Sequence, residues 1–360
     1  MSDIACKKAA DLTRDEREAW DSLQASDPQL FSPYFSLGYL DAVASVRSDV
    51  RVIICRDAGE PVSFLPVQRG MFGHARPLGG PLSDHHGIVG RDPGDEGLRA
   101  MLSAAGVGVL DFHGALGRQR SFYDGAVSID GSWVVDLSHG YDVWLTARKK
   151  PGGNTLRTIL VSERKMTERH GPFEYNFDDR REDALEALYR WKAEQYRSSG
   201  HFDVFSADWT RPLVRALLDT PKSQPGHGVV STLRVAGKVA AVHFGMIGRG
   251  VMHYWFPAYD PAFQKEGSGN ALLMQILKSA EHEGLKELHL GPGDYRYKAA
   301  LANWQFPLVR GFAGSGPAAL VRAAAASLEN TSEALPLGRV ARWPGKAFRR
   351  IDQMAGFRAA

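Results

Sequence analysis

At 360 residues, with 44% hydrophobic and 24% charged residues, the chain is too long for one core and too apolar for disorder, so two folded domains are expected. A net charge of only +3 argues against a dedicated nucleic-acid binder, which needs a concentrated basic face. Two cysteines, Cys6 and Cys55, cannot build a disulfide framework or a cysteine-rich metal centre. With no apolar run of ~18 residues and no apolar signal core at the start, a cytoplasmic location is expected.

In chain order, residues 1–30 are polar and helix-prone, and 36–43 carry a short helical pattern. Residues 51–55 and 62–67 read as a hairpin around the turn Asp57-Ala58-Gly59. A glycine-rich stretch, 73–90, precedes a helix at 95–105 and a strand at 107–112. A basic stretch, 148–170, contains an amphipathic helix. Leu156, Ile159 and Leu160 are apolar there, and Arg157, Arg164, Lys165 and Arg169 are polar. The pattern then repeats more strongly. Residues 183–196 form a helix with Leu185, Leu188, Tyr189 and Lys192 at helical spacing. Strands follow at 229–235, 239–247 and 251–256, with turns at Ala236-Gly237 and 248–250. A loop runs from 257 to 269. A helix over about 270–283 presents Leu272, Leu273, Ile276, Leu277 and Ala280, and Gly284 sits where a left-handed cap is wanted. Residues 286–290 close the second half. Each half thus reads hairpin, strand, glycine-rich loop, helix, strand, which predicts a structural duplication.

The segment Gln264-Lys265-Glu266-Gly267-Ser268-Gly269 stands directly before the second-half helix. Glycines let the backbone approach a ligand closely. A helix start offers unpaired N–H groups and the positive end of a dipole. Together they suit a diphosphate, with Gln264, Lys265, Gly267, Ser268, Gly269 and Asn270 as candidate contacts. The preceding strand, ending at Trp255 and Phe256, would lie beside an extended ligand arm and pair with it like an added strand.

This order of strands, loop and helix resembles the GNAT superfamily of acyl-CoA N-acyltransferases, and 264–269 is similar to their acyl-CoA signature. The segment Gly291-Pro292-Gly293-Asp294-Tyr295-Arg296-Tyr297-Lys298 resembles the G-x-G-D-x-x-Y-K box of the CelD-like branch, associated with cellulose and exopolysaccharide production. The segment 191–197 followed by Gly200 is similar to a helix of that branch. The branch in turn resembles Fem-type transferases, which carry two GNAT folds in one chain. The resemblance implies an α/β (α+β) protein of two tandem GNAT-like folds. Each would be a mixed, mostly antiparallel sheet flanked by helices. It implies acetyl-CoA as acyl donor, no metal, and a small-molecule or saccharide acceptor bearing an amine or hydroxyl.

The expected division is a degenerate N-terminal fold (1–147), a basic connecting helix and strand (148–180), an acyl-CoA-binding fold (181–330) and a basic amphipathic tail (331–360). The first fold has no counterpart of 264–269. Its loop 79–87 is a candidate acceptor region instead.

Acyl transfer needs a base for the acceptor's proton and donors for the developing oxyanion. Candidates are Asp84, His85 and His86 in the first-half loop, Glu194 and Tyr196 on the 183–196 helix, and Asp294 and Lys298 after the closing strand. His243, mid-strand among apolar neighbours, reads as a core histidine. No G-x-S-x-G elbow is present. His85-His86 and His282-Glu283 lack metal-site spacing. The tail, with Trp343 and Phe348 among arginines, suits contact with an inner-membrane surface. Two other functions remain open: a Fem-type aminoacyl-tRNA-dependent transferase, and a non-catalytic acyl-CoA-binding scaffold.

Overall fold

A computed structural model describes residues 3–317, 319–324 and 356–357. The tail reading at Trp343 and Phe348 lies outside the described residues. The first half runs β1 (Asp3–Lys7), α1 (Arg14–Ala25), α2 (Leu37–Val46), β2 (Val50–Asp57), β3 (Glu60–Arg69), β4 (His74–Pro77), β5 (Val89–Gly90), α3 (Gly94–Ala104), β6 (Val109–Leu116) and β7 (Ala126–Asp136). Three helices follow: α4 (Tyr141–Arg148), α5 (Gly153–Leu160) and α6 (Ser162–His170). The second half runs β8 (Phe173–Asn176), α7 (Glu182–Ser199), α8 (Thr210–Asp219), β9 (His227–Val235), β10 (Lys238–Gly248), β11 (Val251–Tyr259), α9 (Ser268–Ser279), β12 (Glu287–Gly291), α10 (Arg296–Leu301) and β13 (Trp304–Gly314). Among the described residues no helix is long and apolar enough to cross a membrane.

The chain forms two compact units interleaved in sequence. Among the described residues, unit 1 contains 3–30, 40–130 and those from 307 onward; unit 2 contains 31–39 and 131–306. In unit 1 the strand order is β1-β2-β3-β4-β6-β13. In unit 2 it is β8-β9-β10-β11-β12-β7. Both are mixed, mostly antiparallel sheets flanked by helices. In each, three antiparallel strands lead through a helix to a strand parallel to the third: β4 with β6, and β11 with β12. The last strand of each unit comes from the other half of the chain, since β13 pairs antiparallel with β6, and β7 with β12.

Turn chemistry sets the hairpins. Ala58-Gly59, Ala236-Gly237 and Arg249-Gly250 all have positive φ at both positions, as two-residue type I′ turns require. The register closes directly on them, with Asp57 opposite Glu60, Val235 opposite Lys238 and Gly248 opposite Val251. The unit 2 core packs α9 (Leu272, Leu273, Ile276, Leu277) and α5 (Leu156, Ile159) on Leu233, Met252, Tyr254 and Leu288. At the far end of β9, Arg234 is buried and ties Asp179 (2.8 Å) to Asp183 (2.7 Å), fixing the start of α7.

Candidate active site

β11 and β12 run side by side only briefly, with Val251 opposite Glu287, Met252 opposite Leu288 and His253 opposite His289. Beyond that, β11 continues to Tyr259 with β10 on one edge. β12 meanwhile pairs with β7 up to Gly291 opposite Trp133. Past His253, no described strand pairs with the other edge of β11. An edge of this kind offers backbone donors and acceptors to an extended ligand.

The parting point is marked by a bulge. Phe244 faces Phe256 and Met246 faces His253, so Tyr254 and Trp255 together oppose Gly245. A bulge leaves its extra residue outside the ladder and re-aims it. Gly245 has little freedom here, because a Cβ would lie 2.5 Å from the His253 carbonyl oxygen and 2.6 Å from the His243 ring. That ring stacks on Tyr254 at 4.1 Å.

β11 leads into the loop and α9. Gly267 caps the helix at φ 81°, a left-handed conformation that glycine adopts without cost. The N–H groups of Ser268, Gly269 and Asn270 are first-turn donors without intrahelical acceptors. No acidic residue lies in that turn, so the positive end of the helix is not neutralised by its own side chains. The Ser268 hydroxyl is buried with no hydrogen-bond partner among the described residues. Glu266 is buried and pairs with Arg169 (3.2 Å) and His170 (3.5 Å) of α6. Glu266 therefore anchors the loop on α6, while Gln264 and Lys265 are exposed.

The expected site residues divide as follows. Gln264 to Asn270 form one continuous loop and helix start at the far end of β11. Trp255 is half-buried, with its ring edge-on to Tyr34 at 5.6 Å; Phe256 is buried and packs on Phe205 at 4.9 Å. Lys298 is buried, and its ammonium donates to the carbonyls of Pro292 (2.5 Å) and Gly291 (3.4 Å). It ties the loop after β12 to α10, and the Trp133 indole N–H ties the same loop through Gly293 (3.0 Å). Asp294 and Glu194 are exposed. Asp84 and His86 belong to unit 1. His86 is buried, edge-on to Phe122 at 5.6 Å, and burial, followed by the nearby His113, pulls it down to about 3. Among the described residues no cluster of metal-ligating side chains occurs.

Residues 154–299 match the acetyltransferase (GNAT) domain family. The match spans α5 through α10, and thus the loop, the helix start and the strands that part. The solved structure of FemX resembles the chain with a TM-score of 0.55 and 9% identity, over 86% of this chain and 96% of that one. The C-terminal domain (DUF2156) of an Agrobacterium fabrum protein described as a lysylphosphatidylglycerol synthetase gives a TM-score of 0.50 at 14% identity, over 86% and 95%. At these identities the likeness is one of fold. No curated protein matches by sequence. The GNAT match, on this fold, supports an N-acyltransferase.

Two features escaped the sequence reading. The bulge carries no signature, because Tyr254-Trp255 reads as unbroken strand. Lys192 did leave a signal: it falls at the spacing of Leu185 and Leu188, a lysine within an apolar stripe.

Proposed function

We propose that unit 2 binds an acyl-CoA along the open edge of β11 and transfers its acyl group directly to an amine or hydroxyl. The observation that carries this reading is the parting of β11 from β12 at the bulge, with the acid-free start of α9 at the end of the open edge. The N–H groups of Gly267 to Asn270 would hold the diphosphate. The unpaired edge from Tyr254 to Tyr259 would bond the pantetheine amides. The thioester would then lie by Tyr254-Trp255, where a backbone N–H freed by the bulge can stabilise the developing oxyanion. Acetyl is the acyl group the motif resemblance favours. The Gly291 to Lys298 segment, similar to the CelD-like box, supports a sugar-type acceptor linked to exopolysaccharide production.

Calorimetric titration of acetyl-CoA into the full chain and a Gly269→Asp variant tests the donor site. Gly269 is in the first turn, where an added carboxylate favours the helix yet repels a diphosphate. Gly267 serves less well, because its positive φ makes any side chain strained. Loss of affinity in a folded Gly269→Asp chain is expected; unchanged affinity would refute the assignment.

A further inference from the structure

Lys192 lies on the buried face of α7 with Leu185, Leu188 and Trp191, and only 7% of its surface is exposed. Its ammonium has three N–H donors. One goes to Gln195 Oε1 at 3.0 Å, and the Tyr196 ring lies 5.8 Å away. No carboxylate pairs with it among the described residues. An ammonium held in apolar surroundings without an acid is costly, and burial pulls it down to about 8. Lysines kept in this state at a reactive centre are suited to accept a proton near neutral pH.

Its surroundings place it at the reacting strands. α7 packs on β10 and β11, the pair that carries the bulge. Lys192 is close enough to His243 to disfavour that ring's protonation, after burial and His253. His243 in turn stacks on the bulged residue Tyr254. The titratable groups next to Lys192 are thus Tyr196 on α7 and His243 on β10, and through His243 the network reaches His253 and Tyr254 on β11.

We propose that Lys192 is the general base of the transfer, an inference that rests on the acyl-CoA reading above. Its neutral amine takes the proton from the acceptor's nitrogen or oxygen as that atom bonds to the thioester carbonyl carbon. The C–S bond breaks, the electron pair leaves with the CoA sulfur, and Lys192 returns the proton to the thiolate. The products are the acylated acceptor and CoA.

The test uses the full chain, with acetyl-CoA as donor and, as probe acceptor, N-acetylglucosamine, whose hydroxyls do not titrate near neutral pH. Free CoA thiol is the readout, and acetyl-CoA affinity is measured separately. Expected are a kcat that rises with pH to a plateau, with its midpoint near 8, and a loss of at least ~100-fold in kcat for Lys192→Met. Acetyl-CoA affinity should be unchanged. Lys192→Arg should be as inactive as Lys192→Met, because arginine keeps the charge and gives up no proton. An active Lys192→Arg variant would make the group a cation for an anionic acceptor and overturn its role as base, as would a rising pH limb surviving in Lys192→Met. A second measurement needs no acceptor: labelling of Lys192 by acetic anhydride, read by mass spectrometry across pH. Labelling should follow the same midpoint and fall when acetyl-CoA saturates the site. Equal labelling with and without bound acetyl-CoA overturns the base alone. Failure of acetyl-CoA to bind the unmodified chain removes the donor reading, and the base falls with it.

Discussion

The starts of α3 and α9 hold equivalent places in two copies of one topology, and they differ in the charge they offer an anion. α9 begins Ser268-Gly269-Asn270 behind a left-handed glycine, with no acid in its first turn. α3 begins behind Pro93 and carries Asp95 and Glu96 in that turn. Two carboxylates there oppose a diphosphate as strongly as the helix dipole invites one. The strands before them differ as well. In unit 2 no described strand pairs with the β12-side edge of β11 beyond His253. In unit 1 the loop residue His86 occupies the matching gap beside β6. Its N–H donates to the Gly114 carbonyl (2.8 Å), and the Leu116 N–H donates to the His86 carbonyl (2.9 Å). Unit 1 thus lays its own backbone along β6, at the place that corresponds to the edge proposed to take a ligand in unit 2. On the proposed reading, one topology would serve a ligand in one unit and not in the other with its strands and helices kept.

The sharpest way to break the comparison is to disturb that filling. A Cβ at Gly114 would lie 2.2 Å from the Asp84 carbonyl oxygen, and φ there is 72°. Gly114→Ala combines overpacking with a left-handed alanine and should cost about 4 kcal/mol, read from denaturant melts. Acetyl-CoA affinity should stay unchanged if unit 2 alone binds the donor. A parallel loss of affinity in the folded variant would assign unit 1 a share of the site.

Next in size is the pair of helix starts themselves. Gly269→Asp should weaken acetyl-CoA binding by at least ~100-fold, about 3 kcal/mol. Removing the unit 1 acids with Asp95→Asn and Glu96→Gln should leave that affinity where it was. Titration calorimetry of the three chains decides the matter, and a gain in the unit 1 variant would mean that its groove is not closed.

How much of this was legible in the sequence depends on how local each cause is. The hairpins were, because Ala58-Gly59, Ala236-Gly237 and Arg249-Gly250 carry their own turn chemistry. The apolar face of α9 was, because Leu272, Leu273, Ile276 and Leu277 repeat at helical spacing, and all four are buried. The exchanged strands were not. β7 meets Asp136 with Glu287, and β13 meets Val309 with Ala115, so their partners lie in the other half of the chain. The loop at 264–269 announced a helix start by its glycines, but the open edge of β11 depends on where β12 turns away. The anchoring of Glu266 on Arg169 and His170 likewise depends on where α6 packs. The short strand β1, five residues long, had too little alternation to register.

A smaller effect separates function from stability within unit 2. Lys192 is held down to about 8 by burial, whereas an unfolded chain leaves it near the ordinary lysine value. Between those two values the unfolded chain binds more protons, so stability should rise with pH across roughly 8 to 10.5. Below 8 the cost of the buried charge is fully present. Lys192→Met should therefore stabilise the chain by about 2 kcal/mol at neutral pH and remove the rise. A destabilised methionine variant would show that the ammonium has an anionic partner in the folded chain.

The smallest effect asks whether the two copies share their folding rules where neither serves a ligand. Gly59 closes the β2–β3 hairpin at φ 91° and Gly237 the β9–β10 hairpin at φ 77°; among the described residues no atom lies within 4 Å of a Cβ built at either. With contacts absent, only the left-handed backbone is charged for, so Gly59→Ala and Gly237→Ala should each cost about 1 kcal/mol. Matched urea melts compare them directly. Equal losses would mean that the turns kept one physical role in both units while their grooves diverged. A loss confined to one variant would show that one hairpin can relax its turn, and that the duplication has drifted even in its least functional part.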